Sequence, residues 1–170
     1  QTGFFFFFLG KMKILDAKDI INIAIRIDDD GEKFYRRAAG MAEDDETKEM
    51  FRFLADEEKD HQDFFRELEQ EITDDSKADY PEEYMAYISA YVDNVIFPAD
   101  QPEDEAEKIQ TVYEAINYSI RKELESVLFY HEIKPIVVKK HHDTIDRIIE
   151  EEREHFVKFV ELKRERKENE

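Results

Sequence analysis

The chain has 170 residues, enough for one domain with a substantial core and no need of disulfide staples. It contains no Cys, which excludes a disulfide framework, a thiolate zinc site and a cysteine nucleophile. Asp and Glu number 44 against 25 Lys and Arg, a net charge of −19 that disfavours nucleic acid and acidic lipid as partners. The missing Cys suits a reducing cytoplasm, where we expect the protein to reside.

Residues 1–11 differ from the rest. Phe4 to Phe8 is a run of aromatics followed by Leu9 and Gly10. It is too short to span a bilayer, which needs about 20 apolar residues. It also lacks the basic leader and small-residue cleavage site of a signal peptide. Met12 reads as a natural start, so residues 1–11 are expected to be a non-native or flexible extension and 12–170 a single domain. The rival reading is an apolar arm that docks on a neighbouring subunit.

From there the chain reads as helices. Gly and Pro number only four each, and apolar residues recur at helical spacing. The first helix is expected from about Asp16 to Met41. A polar break at Glu43-Asp44-Asp45 precedes a second, from about Glu46 to Thr73. A connection of roughly 30 residues follows, long for a structureless loop. Within it Tyr84, Tyr87, Ile88, Tyr91, Val92 and Val95 predict a short helix over about Pro81–Ile96, closed by Pro98 and Pro102. A third long helix is expected from about Glu103 to Ile133, ended by Pro135. The fourth is expected from about Asp143 to Arg166, with a frayed charged tail. Two helical hairpins joined by one long crossover make an all-α four-helix bundle.

The chemistry lies on the apolar stripes. In the second helix the stripe is Phe51, Leu54, Glu58, His61, Phe65 and Leu68; in the fourth it is Ile145, Ile148, Glu152, His155, Phe159 and Leu162. Their steps alternate between three and four, so each set shares one face. Each stripe thus carries a Glu-x-x-His pair into the core, where a carboxylate is costly unless paired or bound to a metal. One such pair is common on solvated faces; two at matching places on matching helices are far more informative.

The other two helices complete a repeat. The first carries Asp28, Gly31, Phe34 and Tyr35, and the third carries Glu123, Ser126, Phe129 and Tyr130 at the same spacing. Each half therefore offers one carboxylate from its first helix and a Glu–His pair from its second. The candidate ligand set is Asp28, Glu58, His61, Glu123, Glu152 and His155: four carboxylates and two imidazoles for two metal ions. With no soft sulfur present, that donor set suits Fe, Mn or Zn. Tyr35 and Tyr130 are candidates for hydroxyls that orient a ligand carboxylate, or for ordinary core tyrosines. Asp29 and Glu32 are minor alternatives to Asp28. His131, His141 and His142 are expected at helix ends and loops without metal. No catalytic side chain separate from the ligands is evident.

Four strings carry a resemblance: Ile27-Asp28-x-x-Gly31-x-x-Phe34-Tyr35, Glu57-Glu58-x-x-His61, Glu123-x-x-Ser126-x-x-Phe129-Tyr130 and Glu151-Glu152-x-x-His155. Together they resemble the rubrerythrin-like branch of the ferritin-like superfamily of di-iron carboxylate proteins. The resemblance implies a ferritin-like bundle, iron as the metal, and reduction of peroxide or O2 at a di-ferrous centre, of peroxidase or ferroxidase type. The alternative is an iron-handling protein without turnover. An external electron donor is implied, because this chain lacks the Cys-rich rubredoxin domain of full-length rubrerythrins. Two ligand positions depart from the family: Asp28 stands where Glu is usual, and Ser126 stands where rubrerythrins proper carry an extra Glu. An Asp carboxylate falls short of a Glu carboxylate by about 1.5 Å, one C–C bond. No membrane partner is expected, and bundles of this kind commonly pair as homodimers.

Overall fold

A computed structural model describes residues 15–72, 81–97 and 105–168. The extension expected at residues 1–11 and the closing Pro98 and Pro102 lie outside that set. Among the described residues there is no strand. The long helices are α1 (Ala17–Met41), α2 (Asp45–Glu71), α5 (Val112–Ile133) and α6 (His142–Glu168). The connection between α2 and α5 contributes α3 (Glu82–Tyr91), a π-helical turn (Val92–Ile96) and the one-turn α4 (Glu105–Lys108). Two 3-10 turns, Lys134–Ile136 and Lys139–His141, link α5 to α6. The architecture is the ferritin-like four-helix bundle that the sequence predicts, with its short crossover helix in place.

Side-chain caps set the helix starts. The Asp16 carboxylate accepts from the Asp19 amide at 2.8 Å, and the Asp19 carboxylate accepts from the Asp16 amide at 3.2 Å, closing a capping box. Asp44 opens α2 by accepting from the Thr47 amide at 2.7 Å. Thr111 and Glu114 form a second box and start α5 at Val112, about nine residues later than the sequence reading placed it. Among the described residues before Thr111, Glu105–Lys108 form the single turn of α4. The fourth helix, His142–Glu168, runs close to its expected bounds. The Arg166 guanidinium donates to Asp44 Oδ2 at 3.1 Å and to Thr47 Oγ1 at 2.9 Å, tying the end of α6 to the start of α2.

Two apolar clusters fill the bundle, one at each end. The first gathers Ile20, Ile21 and Ala24 with Phe65, Leu68, Tyr130, Ile133, Ile145 and Ile148. The second gathers Phe34, Tyr35 and Ala38 with Phe51, Leu54, Ala115, Ile116 and Phe159. Ile88, Val92 and Ile96 join the first cluster, while Tyr87 and Val95 stay exposed. The crossover therefore lays only one edge of its stripe on the bundle. It is fastened there by Ser89, whose hydroxyl accepts from the Leu15 amide at 3.0 Å and donates to the Met85 carbonyl at 2.8 Å. Between the clusters lies a belt of buried polar side chains. Among the described residues no helix is long and apolar enough to cross a membrane.

Candidate metal centre

The polar belt consists of Asp28, Glu58, His61, Glu123, Glu152 and His155, all buried. The helical stripes fixed by the apolar clusters turn these residues inward, since each lies on the same face as its hydrophobic neighbours. They form two trios, Asp28 with Glu58 and His61, and Glu123 with Glu152 and His155. In each trio one donor atom per residue lies within 4.8 Å of the others. The structure thus brings together all six residues that the sequence singles out.

Glu152 lies between the trios. Its Oε1 is 3.2 Å from His61 Nδ1, and its Oε2 is 3.5 Å from His155 Nδ1. Glu58 Oε2 is 4.0 Å from His61 Nδ1, and its side chain stands against Gly31. A Cβ at position 31 would come within 3.0 Å of the Glu58 carboxylate, so the absent side chain is what makes room for it.

Helix crossings brace the belt from outside. Tyr35 Oη donates to Glu123 Oε1, and Tyr130 Oη donates to Asp28 Oδ1. Each tyrosine therefore serves the carboxylate of the other hairpin. These two bonds also show that α1 and α5 run antiparallel. The rings are held by stacking within the apolar clusters, Tyr35 on Phe51 and Phe159 and Tyr130 on Phe65. The histidines follow the same rule. His61 Nε2 donates to Glu151 Oε2 at 3.0 Å, and His155 Nε2 donates to Glu57 Oε2 at 2.8 Å. Binding Nε2–H in this way turns Nδ1 inward, where it can serve a metal once its proton is lost.

Sequence reasoning assigned no role to Glu57 and Glu151. The signal was visible as the repeated Glu-Glu-x-x-His string, but which helix lies opposite is a tertiary fact. The minor alternatives to Asp28 are occupied elsewhere. Asp29 pairs with Lys33, and Glu32 accepts from Arg36 at 2.9 Å. The remaining histidines also stand apart from the belt. His141 contacts Glu71 at 2.8 Å, His142 the Val137 carbonyl at 2.9 Å, and His131 the Arg153 guanidinium at 2.9 Å.

Burial and mutual charge shape the protonation of the metal-free belt. Burial, above all, pushes the carboxyls of Asp28 and Glu58 well up. Burial, helped by the neighbouring Glu152 charge, pushes Glu123 up to about 8. Burial would raise Glu152 too, but Glu123, His155 and His61 converge on it and hold it below the usual carboxylate range. Burial opposes the imidazolium forms, yet the facing carboxylates raise His61 to about 9 and His155 to about 11. The phenols of Tyr35 and Tyr130 are held well above their ordinary value, first by burial and then by the anionic groups beside them. Both therefore remain hydrogen-bond donors.

A pair of cations fits this arrangement on structural grounds. Asp28 Oδ2, His61 Nδ1, Glu123 Oε2, both Glu152 oxygens and His155 Nδ1 are buried without a hydrogen-bond partner. Native interiors rarely leave such atoms unsatisfied, and here six of them converge on one belt. Oxygen and imidazole donors suit a divalent transition metal.

Comparison with known proteins agrees with the geometry. The rubrerythrin family model matches residues 19–163. No curated protein matches the chain. A crystal structure from Thermotoga maritima, of a protein described as a candidate ferritin-like diiron-carboxylate protein, superposes with a TM-score of 0.71 at 30% identity. The match covers 89% of this chain and 96% of that one. The family match spans both Glu-x-x-His strings and both tyrosines, so the chain belongs to the rubrerythrin family.

Proposed function

We propose that this protein is a non-haem di-iron oxidoreductase that reduces peroxide or O2. The observation that carries the proposal is the buried belt of two carboxylate–histidine trios with six unsatisfied donor atoms facing one another. Asp28, Glu58 and His61 would hold one iron, and Glu123, Glu152 and His155 the other, with Glu152 reaching both. When bound, the iron pair supplies the electrons that reduce the oxidant. The rest of the chemistry belongs to the chain. Glu57 and Glu151 fix the imidazoles, and the phenols of Tyr35 and Tyr130 hold protons against the ligand carboxylates. The apolar clusters exclude water from both ends of the belt. Reduction of peroxide to water consumes two electrons and two protons. The electrons come from an external donor, because the chain has no Cys to hold a rubredoxin-type iron. In this reading residues 12–170 are a single cytoplasmic domain that works as a homodimer, and residues 1–11 are dispensable.

The test has two stages. Metal analysis of the purified protein should find close to two ions per chain, and Glu58→Ala combined with Glu152→Ala should abolish uptake. Retention of two metals by the double variant would refute the ligand set. The di-ferrous protein is then mixed with peroxide in a stopped-flow instrument. Rapid stoichiometric oxidation supports the redox enzyme. Slow oxidation with iron retained supports the second reading, iron handling without turnover.

A further inference from the structure

A cleft of about 610 Å³ opens between α1 and α5. Its floor is the metal belt itself, reached at Glu58 and Glu123 beside Gly31 and Ser126. Its walls mix charged side chains with the apolar Ile27, Phe34, Ile96, Phe97 and Tyr118. Phe34 and Tyr118 pack with ring centroids 4.5 Å apart and their planes tilted by 45°. The π-helical turn sets Ile96 and Phe97 at one end, where Arg26 lies 3.8 Å above the Phe97 ring. Peroxide or O2 has two heavy atoms. The cleft is of the size that holds organic ligands, about 300–1,000 Å³.

The charges along the cleft say what kind of ligand. Beside the carboxylates Asp30, Glu105, Glu107 and Glu125, four cations line it: Arg26, Lys33, Arg37 and Lys122. Three of them have carboxylate partners: Arg26 pairs with Asp30, Lys33 with Asp29, and Lys122 with Glu125. Arg37 differs. Its Nη2 donates to the carbonyls of Ala106 and Ile109, its Nε is buried without a partner, and among the described residues no carboxylate pairs with it. A half-buried guanidinium without an anion is unusual, and more so in a chain with a net charge of −19. A guanidinium matches a carboxylate geometrically as well as by charge.

We propose that the α1–α5 cleft binds a small organic carboxylate, its anionic head on Arg37 and its apolar body running past Phe34 and Tyr118 to Gly31 and Ser126. The proposal rests on the di-metal reading only in placing the far end of that ligand beside a metal centre. Arg37 and Gly31 lie six residues apart on α1, about 9 Å at 1.5 Å per residue. A zigzag chain of roughly seven C–C bonds of about 1.5 Å spans that distance, which points to a body of about eight carbons.

The experiment is calorimetric titration of the metal-loaded protein with straight-chain carboxylates from acetate to decanoate, and with octanamide as the neutral counterpart. Affinity should climb with chain length and level off near octanoate. Octanamide should bind far more weakly. Arg37→Gln should weaken octanoate by about tenfold or more, the scale of a lost charged hydrogen bond, with metal content still near two. Equal affinity in wild type and Arg37→Gln would overturn the proposal, because it would place the carboxylate on the metals. Failure of the wild type to bind any member of the series would overturn it as well. If Arg37→Gln does not fold, Arg37→Lys replaces it: the proposal then requires octanoate to bind more weakly than to wild type but better than octanamide. The two readings fail separately. Two metals without carboxylate binding refutes the cleft assignment alone. Arg37-dependent octanoate binding in a chain that takes up no metal supports the cleft and refutes the di-iron function.

Discussion

Tyr35 leaves Asp28, the carboxylate of its own helix, and donates its hydroxyl across the bundle to Glu123 of the other hairpin. Tyr130 returns the bond to Asp28. Removing the hydroxyl in Tyr35→Phe leaves a buried Glu123 oxygen without its donor. That should cost the metal-free protein about 1–3 kcal/mol and weaken metal binding at the trio of Glu123, Glu152 and His155. Thermal unfolding and metal titration check both effects. An unchanged second trio would mean that the phenol is only a core ring.

Glu57 and Glu151 make a second crossed pair of braces. His155 depends on Glu57 of α2, and His61 depends on Glu151 of α6. Glu57→Gln should therefore weaken the metal held by His155, not the one held by its sequence neighbours Glu58 and His61. The scale is about 10–100-fold in affinity, as for other groups that orient a metal-binding histidine. Cobalt substitution, with spectra assigned by comparing Glu57→Gln and Glu151→Gln, reads out which ion is lost. Loss of the metal on the mutated residue's own helix would contradict the crossing.

The protonation of the belt sets a pH signature of opposite sign for the two forms of the protein. In the metal-free chain His61, His155 and Glu123 are raised to about 9, about 11 and about 8. The folded state then holds more protons than the unfolded state, so its stability falls as pH rises. The carboxyl contribution is lost between about pH 4.5, its ordinary value, and 8. The imidazole contributions are intact below about pH 6.5 and lost as pH climbs through 9 and 11. The lowered Glu152 acts in the opposite sense only in strong acid. Metal binding must expel these protons, so metal affinity should rise with pH. The melting temperature of the chelated protein should fall from pH 5 to 8, while that of the loaded protein rises. A common slope for both forms would show that the belt does not hold the metals.

Asp28 gives the first trio a shorter carboxylate than Glu123 gives the second. It is nonetheless in place: Oδ1 accepts from Tyr130, and Oδ2 is buried without a partner. We expect the ion beside Asp28 to be the weaker of the two, and Asp28→Glu to tighten it so that the two sites bind more alike. Titrating ferrous iron into both proteins measures the difference. Superimposable two-site curves would remove the asymmetry.

The helices and the six belt residues were legible in the sequence because helical spacing reports directly which side chains share a face. Glu58 sits among Phe51, Leu54 and Phe65, and nothing beyond local geometry is needed to send it inward. What lay across from each face was not legible. Glu57 precedes a ligand by one position and so points off the stripe, and only the adjacency of α2 and α6 gives it His155. Tyr35 was a sound candidate for orienting a carboxylate, but its own hairpin supplied the obvious partner and the fold supplied the other. The start of α5 was missed for a local reason. The acidic Glu105–Lys108 does form a helical turn, but the capping box at Thr111 and Glu114 opens a new helix and does not continue that turn. The α1–α5 cleft left no periodic trace, because it arises where two helices stand apart.

The crossed braces carry a consequence for how such a molecule can vary. Every brace runs from one hairpin to the other: Tyr35 to Glu123, Tyr130 to Asp28, Glu57 to His155, Glu151 to His61. A lone hairpin would own ligands without their supports, and two identical hairpins meeting face to face would own the whole centre. Such a symmetric pair, however, must carry the same residue at both copies of every position. Joining the halves through the crossover lifts that restriction. Asp28 can then differ from Glu123, and Gly31 from Ser126, so that a centre built on a two-fold plan acquires a preferred side, with its entrance on one flank.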